Sequence, residues 1–474
     1  MSARRIVLLA TTAVAVLVLV FVSAAGGAAV LRSGVAGIRA IGGGSLKFSS
    51  RWLAVSALAK AGAPAPTDAA CRASLSVPCY SPQEIQHAYG VDRLLNRGDD
   101  GAGESIVIID SFGSPTLASD LASFDAGYGL PAPRSLRILA PLGTVPFDPA
   151  AVPDQITWAG ETTLDVEWAH AMAPGARIVL LTSPVDETQG VQGMPQFDFL
   201  LNYALDHHLG KIISQTWGTA ENTLFTPAGA DVLKSFQRTY ARAAAMGVTV
   251  LAATGDSGSS NLEMNGTTFY PFPTVNFPAS SPLVTAVGGT SLNADTSGDY
   301  QSETVWNGAG GGISQVFGEP VYQRFLPSSV QSELGDRRGI PDVSWNADPN
   351  TPILFYLSFA GQSSAGYYIA SGTSEGPPEW AGLVSDFDEL LKHPIGLLNP
   401  YLYALGVVGK GFHDVTVGNN SDNGVAGYDA TPGWDLASGW GTPDIGQLFD
   451  DIDLLARRDE SMRALVFRAR SSRR

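Results

Sequence analysis

Three stretches of this chain combine residue types that could carry acyl-transfer chemistry. In Ser371-Gly372-Thr373-Ser374-Glu375-Gly376-Pro377-Pro378, a small hydroxyl residue follows the strand-like run Tyr367–Ala370 and precedes the helix-like run Trp380–Leu390. A serine in that position faces the positive end of a helix dipole, and free backbone N–H groups beside it can hold an oxyanion. Ser374 is therefore a candidate nucleophile. Taken alone, the cluster reads more readily as a helix start, with Ser371, Thr373 or Ser374 as cap and proline in the first turn.

A nucleophile needs a base, and serine usually takes histidine. The six histidines, His87, His170, His207, His208, His393 and His413, sit in no recognisable motif, so each reads as structural or solvated. Carboxylates are the better candidates. Glu161-Thr162-Thr163-Leu164-Asp165 sets two acids at i and i+4 on one helical face. Enclosed, such a pair shares one proton and can take another from a serine hydroxyl over a limited acid range. On a surface helix it is a solvated face. The third stretch is Thr254-Gly255-Asp256-Ser257-Gly258-Ser259, directly after the apolar run Val248–Ala253. An acid at a strand's carboxyl end is well sited for chemistry, and a protonated aspartate can donate to an oxyanion. The competing reading is an Asx-turn that stabilises a loop.

Short apolar runs at Ser105–Asp110, Ala176–Thr182, Ile212–Thr216 and Gly247–Thr254 alternate with helical patterns at Leu164–Met172, Phe197–His207 and Asp231–Met246. That alternation predicts an α/β body with a mainly parallel sheet and helices on both faces. A hydrophobic content of 45% over 474 residues supports a large core. Of 29 basic and 45 acidic residues, 14 basic and 2 acidic ones lie in 1–60 and 457–474, leaving 15 and 43 between them, a net of −28. A body so acidic repels phosphate backbones and excludes a nucleic-acid partner. Cys71 and Cys79 are the only cysteines. In an oxidising compartment they are expected to close a small disulfide loop, and no thiolate zinc site can be assembled.

The head, Met1–Arg5, is basic and precedes the uncharged run Ile6–Val22 and then small residues from Ser23 to Ala29. This predicts export, by a cleaved signal peptide or a retained membrane anchor, with the body outside the cell. Residues 33–75 read as a Gly/Ala/Ser-rich tether whose one candidate element is a helix at Leu46–Ala61. The folded body opens with the helix-like Ser81–Tyr89.

Taken in order, these stretches resemble the sedolisin, or serine-carboxyl peptidase, family. The resemblance runs from about Tyr80 to Gly446. Beside the stretches above it includes Ala173-Pro174-Gly175-Ala176, Ser214-Gln215-Thr216-Trp217-Gly218, Phe277-Pro278-Ala279-Ser280, Ala286-Val287-Gly288-Gly289-Thr290 and Arg338-Gly339-Ile340-Pro341-Asp342-Val343. It implies a subtilisin-like fold in a single catalytic domain and endopeptidase or tripeptidyl-peptidase activity at acidic pH. Ser374 would be the nucleophile, Glu161 its base, Asp165 the acid that orients Glu161, and Asp256 the oxyanion acid. Asp110 and Trp217 would extend the carboxylate network. It also implies one Ca2+ site, with carboxylates from Asp414 and Asp435 and backbone carbonyls from Val415, Thr431 and Gly433, all hard oxygen donors.

The expected layout is a signal peptide or N-terminal anchor over 1–32, a tether without a full prodomain over 33–75, a peptidase domain over 76–452 and a basic tail over 453–474. The expected partners are peptide or protein substrates, with membrane attachment through the N-terminal segment as an option; the expected state is a monomer. Three departures from the family pattern stand out: the short tether in place of a prodomain, Glu375 and Pro377 where small residues are usual, and the apolar head. They leave open a second reading, a catalytically silent peptide-binding relative at the cell surface. A lipase or esterase is less favoured, because no Gly-x-Ser-x-Gly elbow surrounds Ser374.

Overall fold

The computed structural model describes residues 38–40, 53–55, 64–361 and 365–448. The leader or anchor expected over 1–32 and the tail expected over 453–474 lie outside the described residues. No helix among the described residues is long and apolar enough to cross a membrane.

The body is built on one sheet of eight strands. In chain order these are β1 (Ser105–Ser111), β2 (Ser135–Leu139), β3 (Arg177–Ser183), β4 (Ile212–Gln215), β5 (Thr249–Ala253), β6 (Thr285–Ala294), β7 (Tyr300–Val305) and β8 (Val343–Asn346). The order across the sheet is β7-β6-β5-β4-β1-β3-β2, with β8 also paired to β6. Every pairing is parallel except β6 with β7. Helices α1 (Leu117–Tyr128), α2 (Asp154–Met172), α3 (Met194–Asp206) and α4 (Pro227–Ala245) make the successive crossovers from β1 to β5, and α5 (Gly376–Leu391) comes later.

The period of two in β1 shows how the layers form. Ile106 and Ile108 join the core that holds Trp168 and Ala169 of α2 and Leu383 and Val384 of α5. Val107 and Ile109 point the other way, into the core with Phe197 and Leu201 of α3 and Phe236 and Tyr240 of α4. The sheet is thus covered on both faces, as the alternating pattern predicts.

Helix ends differ from the sequence expectation. α2 begins at Asp154 rather than Leu164, because it is buried on almost every side and has no polar stripe to mark its period. α4 begins at Pro227, where the Thr226 hydroxyl accepts the Gly229 N–H at 3.0 Å.

The tether reading needs correction. Leu53–Val55, inside the expected helix Leu46–Ala61, is a strand; the rest of that helix lies outside the described residues. It pairs antiparallel with Ile38–Ala40 and with β10 (Gly366–Ala370), which itself pairs with β9 (Ile353–Leu357). Asp68–Leu75 is a helix capped by Thr67. A disulfide joins Cys71 to Cys79 with Cα atoms 5.8 Å apart, and both cysteines pack with Leu354 and Ile369. The folded body therefore takes in parts of 33–75. Strand addition at a sheet edge uses backbone groups, so a Gly/Ala/Ser-rich segment can join without a side-chain pattern.

Candidate active site

The carboxyl ends of β1, β4 and β5 and the first turns of α5 gather at one end of the sheet. α5 descends from Thr373, whose hydroxyl accepts the Gly255 N–H at 2.9 Å, to Glu389, which accepts the N–H groups of Asp100 and Ala102 below β1. α2 runs the same way, from the level of Asp165 to the turn where Gly175 N–H bonds Asp100 O at 2.7 Å. The two helices touch closely: a Cβ on Gly382 would lie 2.4 Å from that of Met172, so only glycine permits the approach. About two turns back along both helices stand Asp165 and Ser374.

The helix-cap reading of Ser374 does not hold. α5 starts at Gly376, its N-cap position is Glu375, and no side chain caps it. Ser374 is 1% exposed and its Oγ has no hydrogen-bond partner among the described residues. The turn that presents it needs Gly372 at φ +127°, a backbone conformation that side chains disfavour.

Nor is the acid pair on α2 a solvated face. Glu161 is 3% exposed and Asp165 0%. Asp110, at the end of β1, joins them. Burial first, then the charge of Glu161, pushes Asp110 up to about 8. Burial, then Asp110 and Glu161, lifts Asp165 well above the carboxylate range, against the pull of the Thr216 hydroxyl, which donates to Asp165 Oδ2 at 2.7 Å. Three carboxyls in one dry cluster cannot all ionise, so the group keeps protons that isolated acids would lose.

Trp217 is placed differently from the expectation. Its indole N–H donates to Ile109 O at 2.8 Å, and its ring stacks on Phe197 with centroids 4.2 Å apart. That N–H is therefore committed to backbone, and Trp217 fixes the strand end that carries Asp110.

Asp256 is held by Thr373, the residue before Ser374. Its Oδ1 accepts both the N–H and the hydroxyl of Thr373, each at 2.8 Å. With Oδ1 so used, a proton on this carboxyl belongs on Oδ2. The Asx-turn reading misses this long-range link. Thr373 and Thr216 carry no role in the sequence reading; the signal for each was a hydroxyl at a strand end or beside Ser374.

The histidines are engaged elsewhere. His87 bonds Asp92 and Asp299, His170 bonds Pro131 O, His207 packs at a tilt against Tyr203 and His413 stacks on Tyr300. His208 is exposed beyond α3, and His393 follows α5 at the far end of the helix.

In the expected calcium segment, Asp414 Oδ2 accepts the Gly433 N–H at 2.9 Å and Asp435 Oδ2 accepts the Thr431 N–H at 2.7 Å. Ser438 Oγ bridges Asp435 Oδ1 and Val415 O at 3.1 and 3.4 Å. Burial pushes Asp435 up to about 6 and raises Asp414.

No protein-family profile matches the chain. Kumamolisin from Bacillus sp. (strain MN-32) is 36% identical over 376 residues, covering 77% of this chain and 62% of the relative. Sedolisin from Pseudomonas sp. (strain 101) is 32% identical over 359 residues, covering 73% of this chain and 57% of the relative. The chain thus spans less than two thirds of either relative's length. The solved structure of Pseudomonas sedolisin, a serine-carboxyl proteinase complexed with two molecules of pseudo-iodotyrostatin, superposes with a TM-score of 0.64 at 28% identity, covering 81% of this chain and 99% of that one. With its mainly parallel sheet covered by helices on both faces, the chain belongs to the sedolisin family and has that family's subtilisin-like fold.

Proposed function

We propose that this protein is an exported serine-carboxyl peptidase that hydrolyses peptide bonds in acid, as a monomer outside the cell. The observation that carries the reading is the unpartnered, buried Ser374 Oγ at the end of the sheet where carboxyls gather and no histidine reaches. Ser374 Oγ attacks the scissile carbonyl and its proton passes to Glu161, oriented by Asp165. The oxyanion is held by the proton on Asp256 Oδ2 and by the backbone N–H of Ser374. The proton then moves from Glu161 to the leaving amine, and water repeats the sequence on the acyl-enzyme. Asp256 must be protonated while Glu161 accepts a proton, so turnover belongs to acid and falls toward neutral pH.

The resemblance of the Asp414–Val415 and Thr431–Asp435 segments to the family's pattern motivates a calcium ion bound by the Asp414 and Asp435 carboxylates and the carbonyls of Val415, Thr431 and Gly433. The residues present fit it: the exposed Asp414 carboxylate and the buried Asp435 carboxylate flank one turn, and a cation would relieve the cost of ionising Asp435.

Ser374→Ala should abolish hydrolysis of a peptide library while leaving the circular dichroism spectrum intact. Undiminished turnover, or a flat rate from about pH 4 to about pH 8, would overturn the assignment. Peptide binding without turnover at any pH would instead make the protein a peptide-binding relative.

A further inference from the structure

The chain that leaves Asp256 builds a hairpin over residues 261–274. Thr274 N–H bonds Ser259 O and Tyr270 N–H bonds Asn261 O, each at 2.9 Å, and Leu262 pairs antiparallel with Phe269. At the tip, Asn265 Oδ1 accepts the N–H groups of Thr267 and Thr268 at 2.8 and 2.9 Å. The foot of the hairpin is therefore the loop that carries Asp256. Its far end reaches the loop after β3, where a Cβ on Gly190 would lie 2.6 Å from Met264 Sδ. Asp186 of that loop accepts the indole N–H of Trp158, one turn before Glu161 on α2. These contacts run unbroken from the proposed oxyanion acid to the proposed base, so the hairpin borders one flank of the site.

Its side chains are not those of a solvated turn. Met264, Phe269 and Phe272 are 52%, 37% and 43% exposed, and Tyr270 packs against Phe272 with ring centroids 5.4 Å apart. Large apolar side chains gathered on one exposed segment mark an interaction site. Glu263 is the one charged residue in 261–274, so the hairpin offers an apolar partner far more than a charged one. Its backbone is already held by its own bonds, which lowers the ordering cost of binding. The partner this position meets is the peptide whose scissile carbonyl lies at Ser374. An extended chain advances about 3.3 Å per residue, so a peptide of several residues passes beyond the carboxyls and along the elements that border them.

We propose that residues 261–274 form a specificity element in which Met264, Phe269 and Phe272 hold one large apolar side chain of the peptide substrate. The proposal rests on the reading of the protein as a peptidase.

The full chain carrying M264S, F269S and F272S together tests it, on peptides varied one position at a time and read by product masses in acid. The three side chains are exposed, and the hairpin is held by backbone bonds and Asn265, so the variant keeps its shape. At one position the parent should favour leucine, methionine, phenylalanine or tyrosine over glycine by about tenfold or more in kcat/KM. The triple variant should lose that preference while its kcat/KM for the glycine peptides is unchanged. F269L with F272L keeps the apolar surface and should keep the preference. No apolar preference in the parent, or the same preference in the triple variant, overturns the proposal. An equal fall for glycine and leucine peptides, or a preference lost in the leucine variant as well, marks a disturbed site and overturns it too. A parent that cleaves no peptide at any pH defeats the peptidase reading and the proposal with it, whereas cleavage indifferent to the hairpin defeats only the proposal.

Discussion

Asp110→Asn tests whether the buried carboxyls keep their protons because water is excluded. Asp110 is held at about 8 rather than the ordinary 3.8, by burial first and the charge of Glu161 second. The folded protein therefore keeps a proton that the unfolded chain releases above about pH 4. For an acid raised in this way, the contribution to stability is complete below the unfolded value and is lost as pH rises toward the folded one. The loss is about 1.4 kcal/mol per pH unit. An asparagine keeps the shape and never ionises, so the variant should match its parent near pH 4 and exceed it by about 4 kcal/mol at pH 7. The assay is urea unfolding followed by tryptophan fluorescence at several pH values, with Ser374→Ala in both chains to prevent self-digestion. A stability difference that stays constant from pH 4 to pH 7 refutes the reasoning.

Two further outcomes follow from the structure. Arg338 and Asp342, both fully buried, form a two-pronged ion pair at 2.7 and 2.6 Å, and Asp342 also takes the Tyr403 hydroxyl and the Ala286 N–H. Arg338→Ala strands that carboxylate and should cost about 3–5 kcal/mol, read as a melting midpoint lower by roughly 5 °C; a drop under about 2 °C contradicts the account. Removing calcium with a chelator should lower the melting midpoint by about 5 °C or more, restored by Ca2+ but not by Mg2+; an indifferent midpoint removes the ion from the proposed Asp414/Asp435 site.

Much of the scaffold was legible in the chain. The alternation of β-branched runs with helical stretches placed β1, β3, β4 and β5 to within a residue or two at each end. The start of α2 was not legible, because a helix buried all round shows no amphipathic period. Nor were the strands Ile38–Ala40 and Leu53–Val55, whose pairing depends on an edge offered by β10, more than three hundred residues away in sequence.

By itself the sequence determined which groups could react: a serine at a strand-to-helix turn, acids at i and i+4, and an acid after an apolar strand. Local spacing and residue chemistry suffice for that, since both are properties of the chain. Only the tertiary structure decided which reading of each group holds. Burial took Glu161 and Asp165 from a solvated face into a dry cluster with Asp110, where Asp165 holds its proton well above the carboxylate range, because the cost of ionising a carboxyl depends on the water and charge around it. The start of α5 at Gly376 left Ser374 free of a capping role. The Thr373 bonds to Asp256 join residues more than a hundred positions apart, and no local pattern encodes a contact made by packing two distant segments against one sheet.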